Sequence, residues 1–102
     1  MGLLSRKTTN NQDQPIAKEF TILNRLGLHA RPSAMFVKAA NRFKSEIWVE
    51  KDGEQVNGKS IMGLMMLAAG QGSKLNVSCE GPDAEKALAE IEALVLRKFD
   101  ED

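Results

Sequence analysis

The chain has 102 residues, and its 14 acidic and 14 basic side chains give a formal net charge of zero. This length predicts a single domain with one hydrophobic core. The balanced charge and the aromatic content of 5% argue against nucleic-acid binding, which needs a basic surface with interleaved aromatic side chains. The single cysteine, Cys79, excludes an intrachain disulfide and offers no cysteine cluster for a metal, so we expect neither a metal nor another cofactor.

The N-terminal residues differ in composition from the rest of the chain. No apolar run has the length of a membrane span, and residues 1–7 lack the apolar core of a secretory signal, so we expect a cytoplasmic protein without membrane insertion. Residues 5–14 are mostly polar and bury too little apolar surface to order themselves. This composition predicts a flexible extension at 1–17 and a folded domain at 18–102.

The spacing of apolar residues and the turn residues between them predict seven elements. In chain order these are a strand at 18–24, a helix at 31–43, strands at 45–50 and 54–57, a short helix capped by Ser60 and ended by Gly70 and Gly72, a strand at 74–80, and a helix that Asp83 caps and that extends to Phe99. The Asp-Gly pair after the second strand is a strong hairpin signal. This order predicts an α+β domain, in which helices cover one face of an antiparallel sheet.

Alternation within the strands assigns side chains to the two faces of the sheet. Ile47 and Val49 share the face that meets the helices, and Trp48 lies on the opposite, open face. Trp48 is then either part of an interaction patch or a single exposed aromatic residue without further meaning. Cys79 falls on the apolar side of its strand, which favours a buried structural thiol over a reactive one.

The only histidine, His29, lies in residues 26–33, Leu-Gly-Leu-His-Ala-Arg-Pro-Ser. Pro32 is typical of a first helical turn, and an amphipathic stretch follows it, so His29 is predicted at or just before a helix N-terminus. Unpaired N–H groups and the helix dipole favour anions there. A neutral imidazole is a good nucleophile whose phosphoramidate stays labile, and Arg31 offers charge-assisted bonds to phosphoryl oxygens. A lone histidine is otherwise a packed or surface residue, and only this context favours phosphoryl transfer.

The run at 26–33 resembles the active-site signature of the histidine-containing phosphocarrier family, HPr, of the bacterial sugar phosphotransferase system. Residues 57–68, Asn-Gly-Lys-Ser-Ile-Met-Gly-Leu-Met-Met-Leu-Ala, resemble the family's regulatory serine site and the short apolar helix after it. The resemblance covers roughly residues 18–99. It implies an open-faced β-sandwich, with a four-stranded antiparallel sheet of order 1-4-2-3 and three helices on one face.

The resemblance also implies a function as a phosphoryl carrier rather than an enzyme. Enzyme I, with phosphoenolpyruvate as the original donor, would phosphorylate His29 on Nδ1, and the group would pass to an enzyme II A component. Arg31 would stabilise the phosphoryl group in both transfers. Ile61, Met62 and Met65 are candidates for a partner-binding surface beside His29, since methionine suits surfaces that meet several partners, although their helical spacing is equally compatible with a core role. A carrier that docks with two partners in turn is expected to be a monomer.

Ser60 has a structural and a regulatory interpretation. As a helix N-cap it contributes about 1 kcal/mol to stability. The resemblance implies that HPr kinase/phosphorylase phosphorylates it, which would add about −1.5 to −2 charges at a helix N-terminus that tolerates them. That charge would lie on the partner-binding face and hinder docking to enzyme I.

Leu26 departs from the pattern of the family, in which a small polar residue that can cap the helix often stands three positions before the histidine. This departure keeps two alternatives open. One is a regulatory phosphocarrier of the nitrogen-related branch of the system. The other is a signalling or corepressor protein that acts through phosphorylated Ser60, although the presence of His29 counts against this as the sole role.

Overall fold

The computed structural model describes residues 14–101. Its strands are β1 (Ile16–Thr21), β2 (Glu46–Lys51), β3 (Glu54–Asn57) and β4 (Lys74–Glu80), its helices are α1 (Ala30–Ala40), α2 (Ile61–Met66) and α3 (Ala84–Leu96), and a 3-10 turn, Lys98–Asp100, follows α3. The predicted order of elements is confirmed. Most of the predicted extension, residues 1–13, lies outside the described residues, and Ile16 and Ala17 belong to β1.

The four strands form one antiparallel sheet in the order β1-β4-β2-β3, as the resemblance implied. Ile16 pairs with Cys79 at one end of β1, and Trp48 pairs with both Ser78 and Asn57. Lys51 pairs with Glu54, so the hairpin between β2 and β3 has a two-residue loop. Both loop residues, Asp52 and Gly53, have positive φ, 53° and 85°, which are the conformations that a type I′ turn requires.

The core lies between one face of the sheet and the three helices. Its fully buried side chains come from β2, β4, the three helices and the 3-10 turn and include the following: Phe36, Ile47, Val49, Leu64, Leu75, Val77, Ile91 and Phe99. Burial of each large apolar side chain contributes about 1.5–3 kcal/mol. Trp48, on the opposite face, is half-buried, and Cys79 is buried on the core face as predicted. Burial, and to a lesser degree the charge of Asp83, raises the pKa of the Cys79 thiol to about 11.

Several predicted boundaries were wrong. The first strand ends at Thr21 rather than at 24, and α1 ends at Ala40 because Arg42 and Phe43 donate to carbonyls only three residues back. The second helix ends at Met66, before either glycine, where Ala68 takes a left-handed conformation with φ of 50°.

The end of the last helix was also predicted incorrectly. Helix α3 stops at Leu96, and Phe99 reaches the core from the 3-10 turn, with φ of 53°, rather than from the helix. The buried aromatic ring therefore anchors the turn after α3. Glu101, which follows this turn, contacts His29 at the start of α1.

Asp83 occupies the N-cap position of α3, but its side chain makes no capping bond. Its carboxylate instead accepts hydrogen bonds from Ser45 Oγ at 2.6 Å and from the amides of Lys44 and Ser45 at 2.9 and 3.0 Å. These bonds, the one from the Ser45 hydroxyl above all, lower the pKa of Asp83 to about 2. Asp83 thus ties the start of α3 to the segment before β2.

Candidate functional site

The segment between β1 and α1 turns sharply at Gly27, whose φ is 71°. The Gly27 amide donates to the carbonyl of Asn24 at 3.2 Å, which closes a tight turn. A Cβ at Gly27 would lie 2.3 Å from the Ala69 carbonyl oxygen and 2.7 Å from Gly70 Cα. Both the left-handed conformation and the close approach of the chain after α2 therefore require glycine at this position.

Leu28 anchors the residue before the histidine. Its side chain is buried, and its amide donates to the Ala69 carbonyl at 2.8 Å. The Ser33 hydroxyl donates to the Leu28 carbonyl at 3.1 Å, and the Ser33 amide donates to the His29 carbonyl at 3.0 Å. The backbone on both sides of His29 is thus held by hydrogen bonds.

His29 is the N-cap residue of α1, which confirms its predicted place at a helix N-terminus. Its side chain is 37% exposed and makes no capping bond, and the first turn of α1 contains no acidic residue. His29 Nε2 lies 2.9 Å from Glu101 Oε2 and 3.3 Å from Glu101 Oε1. Because a carboxylate only accepts hydrogen bonds, this contact places a proton on Nε2 and, in the neutral ring, leaves the lone pair on Nδ1.

Asn24 and Glu101 belong to the site, and sequence reasoning missed both. Asn24 is completely buried, and its Nδ2 donates to the Gly27 carbonyl at 2.8 Å and to Glu101 Oε1 at 3.0 Å. An asparagine at the end of an apolar strand was a weak local signal for such a role. Glu101 had no signal at all, since it lies 72 residues from His29 in sequence.

Arg31 is exposed in the first turn of α1. It lines a shallow depression of about 320 Å³ together with the following residues: Arg25, Leu26, Asp100 and Glu101. Arg25 is a second cation that sequence reasoning did not single out. Leu26 is 65% exposed and contributes an apolar rim. Two arginine side chains therefore line the same depression as the Glu101 carboxylate that contacts His29.

Ser60 caps α2 as predicted, and its Oγ accepts a hydrogen bond from the Gly63 amide at 3.0 Å. The preceding residue, Lys59, is held in place because its Nζ donates to the Phe43 carbonyl at 2.8 Å and its amide donates to Asn57 Oδ1 at 2.8 Å. Among residues 14–101 no hydrogen bond joins Ser60 to His29. The chain after α2 instead contacts the His29 segment, since the Ala69 carbonyl accepts the Leu28 amide at 2.8 Å and lies against Gly27.

The outer side of α2 is apolar and exposed. Leu64 is fully buried beneath the helix, whereas Ile61, Met62 and Met65 are exposed, Met62 by 75%. Met66 is exposed as well and was not singled out from the sequence. These side chains are not packed in the core, so α2 presents a methionine-rich surface to solvent.

Residues 14–101 contain no group of three His, Cys, Asp or Glu side chains that could hold a metal ion. In the same part of the chain, no helix is long and apolar enough to cross a membrane.

The fold and the site together define a small open-faced α+β domain that presents one histidine at a helix N-terminus. A family model described as "PTS HPr component phosphorylation site" matches residues 16–96. The chain belongs to the HPr phosphocarrier family of the phosphotransferase system.

Known members of the family are similar to this chain in both sequence and structure. The phosphocarrier protein HPr of Treponema pallidum is 51% identical over 85% of this chain and 99% of its own length. The HPr-like protein Crh of Halalkalibacterium halodurans is 49% identical over 81% and 99%. A crystal structure of HPr from Thermoanaerobacter tengcongensis superposes with a TM-score of 0.83 at 47% identity, covering 85% of this chain and 98% of that one. A dimer of HPr from the same organism superposes with a TM-score of 0.67 at 50% identity, covering 80% and 97%.

Proposed function

We propose that this protein accepts a phosphoryl group from phosphorylated enzyme I on Nδ1 of His29 and passes it to enzyme II A components. The observation that supports this proposal is the contact between His29 Nε2 and Glu101, at 2.9 Å. Because Glu101 accepts the proton of Nε2, the nucleophilic lone pair is on Nδ1. In the transfer, the Nδ1–P bond forms as the bond between phosphorus and the donor breaks.

The surroundings of His29 suit a group that must be gained and lost with similar ease. Attack by Nδ1 places positive charge on the ring, and the Glu101 carboxylate stabilises that charge. The first turn of α1 has no acidic residue to repel the phosphoryl oxygens, and its N–H groups favour anions. Arg31 donates charge-assisted bonds, each worth about 1.5–3 kcal/mol. Contacts of this strength position the phosphoryl group but do not prevent its transfer to the next protein.

The test is the intact mass of the purified protein after incubation with enzyme I and phosphoenolpyruvate. We expect one acid-labile phosphoryl group on the wild type and none on His29→Ala. Arg31→Ala should accept the group more slowly while it keeps the same site. No phosphorylation of a folded wild type, by an enzyme I that phosphorylates another HPr in the same experiment, would overturn the proposal.

We further propose that Ile61, Met62 and Met65 form the partner-binding surface. Their exposure on α2 supports this, since exposed apolar side chains in a contiguous group mark interaction surfaces. Met62→Glu, which changes a side chain that is 75% exposed, should weaken docking to enzyme I without loss of fold. The steady-state KM of enzyme I for the variant measures this, and Ala89→Glu, at an exposed position of α3, serves as a control that adds the same single negative charge elsewhere. An unchanged KM for Met62→Glu would exclude this surface.

For Ser60 we propose regulatory phosphorylation by HPr kinase/phosphorylase. Its Oγ already lies at the N-terminus of α2, so added negative charge meets favourable N–H groups there and falls beside the proposed partner surface. Incubation with that kinase and ATP should phosphorylate the wild type but not Ser60→Ala. The Ser60-phosphorylated protein should then accept the His29 phosphoryl group more slowly, and an unchanged rate would exclude the regulatory role.

We propose that the carrier acts as a monomer in the cytoplasm. The solved structures of similar proteins include a dimer, so the association state needs a direct measurement. Light scattering on the eluate of a size-exclusion column is expected to give the mass of one chain, and the mass of two chains would overturn the monomer.

A further inference from the structure

We propose that Asn24 is a positioning residue for phosphoryl transfer: it holds the Glu101 carboxylate against His29 and thereby selects the protonated nitrogen of the imidazole. The inference rests on the proposed function of His29. It extends the site to a buried residue of the β1–α1 segment and to a residue close to the C-terminus. Three side chains then act in series, from Asn24 to Glu101 to His29.

The hydrogen bonds of Asn24 allow only one orientation of its amide. Nδ2 faces the Gly27 carbonyl oxygen at 2.8 Å and Glu101 Oε1 at 3.0 Å. Both partners only accept hydrogen bonds, so the atom that faces them is the NH2 group, which can donate to both. A reversed amide would set its oxygen against two other oxygens. The NH2 group of Asn24 therefore donates two hydrogen bonds, one to the turn before His29 and one to Glu101.

The same orientation leaves the other atom of the amide without a partner. Asn24 Oδ1 is buried and accepts no hydrogen bond from the residues that the structure describes. An unpaired buried acceptor is costly, and an apolar side chain at this position would avoid the cost. The two bonds donated by Nδ2 are what an apolar residue would lose. The polar side chain at this buried position therefore fits a role at the site better than a role in the core.

Glu101 links the buried amide to the imidazole through its two oxygens. Oε1 accepts from Asn24 at 3.0 Å, and Oε2 lies 2.9 Å from His29 Nε2. Glu101 belongs to no helix or strand, since the 3-10 turn before it ends at Asp100. Without the bond from Asn24, only the imidazole contact would hold this carboxylate among the described residues. A carboxylate that is held in place gives a histidine one dominant tautomer, as outer partners do for histidines at metal sites.

The first experiment reads the tautomer directly. In the neutral ring, the 15N chemical shifts of labelled His29 show which nitrogen carries the proton. We expect Nε2–H to dominate in the wild type and the preference to fall in Asn24→Asp, which has nearly the same shape but no NH2 group and would repel Glu101. Asn76→Asp, an exposed position on the open face of the sheet, is the matched control for added charge. An unchanged tautomer ratio in Asn24→Asp would overturn the proposal.

A double-mutant cycle separates positioning from a structural role of the Asn24–Gly27 bond. The rate of phosphoryl acceptance from enzyme I is measured for Asn24→Ala, Glu101→Ala and the double variant. We expect each single variant to be slower, on the order of tenfold. The double variant should be no slower than Glu101→Ala alone, because Asn24 acts through Glu101. Effects that multiply in the double variant would show that Asn24 acts only through the turn, and would refute the positioning role.

The two experiments keep this inference distinct from the proposed function. The tautomer measurement uses no phosphoryl donor, so it remains decisive if His29 proves not to be phosphorylated. Asn24→Ala removes a buried bond to Gly27 and is first checked by its thermal unfolding. If it does not fold, the tautomer ratios of Asn24→Asp and Glu101→Ala decide, since residue 101 lies outside the core: loss of the Nε2–H preference in both would support the proposal, and its retention in either would overturn it.

Discussion

Replacement of Gly27 by alanine should both destabilise the fold and displace His29. Gly27 has φ of 71°, and an L-residue in this conformation costs about 1–2 kcal/mol. That cost alone is tolerable, since Ala68 already has φ of 50° in this fold. The added Cβ would, however, lie 2.3 Å from the Ala69 carbonyl oxygen. The backbone must move to relieve this contact, which costs about 1–3 kcal/mol more.

The expected loss for Gly27→Ala is therefore about 2–5 kcal/mol, a large part of the usual stability of a domain. The displaced oxygen is the one that accepts the Leu28 amide at 2.8 Å, so the residue before His29 loses its anchor. Urea unfolding measures the effect on stability, and the midpoint should fall by on the order of 1–2 M. Phosphoryl acceptance from enzyme I measures the effect on the site and should slow.

Two other glycines provide matched controls for Gly27→Ala. Gly53 has φ of 85° but no atom within 4 Å of an added Cβ, so Gly53→Ala isolates the cost of the left-handed conformation, about 1–2 kcal/mol. Gly70 has neither a positive φ nor a close neighbour, and Gly70→Ala should change stability little. If Gly27→Ala loses no more stability than Gly53→Ala, the close approach of Ala69 adds no cost to a side chain at position 27, which would refute the prediction.

Three further predictions concern single side chains. Because hydrogen bonds lower the pKa of Asp83 from 3.8 to about 2 in the folded state, its contribution to stability is complete above about pH 4 and is lost as the pH falls through 2. Asp83→Asn should therefore flatten the fall of the melting temperature over this interval, and an equally steep fall would contradict the assignment. Burial, which raises the pKa of Cys79 to about 11, should protect the thiol from alkylation at neutral pH until the protein unfolds, and rapid labelling of the folded protein would show that the site opens. Loss of the bond from Gly63 should make Ser60→Ala less stable by about 1 kcal/mol in urea, whereas Ser60→Asp, which can still cap the helix, should lose less; equal losses would argue against the cap.

Local patterns in the sequence predicted most elements and the position of His29 at the start of a helix. Apolar residues that recur every two residues in strands and every three to four residues in helices predicted the order of elements. Together with Asp52-Gly53 between two strands, this spacing also predicted the bounds of β3 and β4 as they are observed. Pro32 and the helix after it placed His29 at a helix N-terminus, which the structure confirms. These features were predictable because neighbouring residues alone determine them.

Helix ends were predicted less well, since they depend on contacts with distant parts of the chain. The apolar spacing of α3 continues to Phe99, yet the ring fills its place in the core from a left-handed turn. Asp83 has the residue type and position of a cap, but the donors of Ser45 compete for its carboxylate and bind it instead. In each case tertiary packing overrides a valid local preference.

The pattern of apolar and turn residues thus predicted the α+β architecture, and the family resemblance singled out His29, Arg31 and Ser60 as candidate site residues. Only the packing of the folded chain brought Glu101 to His29 and to Asn24, which precede it by 72 and 77 residues. The periodicity of helices and strands arises from the geometry of residues that are neighbours in sequence, so it can be read from the sequence. A hydrogen bond between side chains that are far apart in sequence leaves no periodic pattern. It forms only because tertiary packing, here the burial of Phe99 in the 3-10 turn, brings the two partners together.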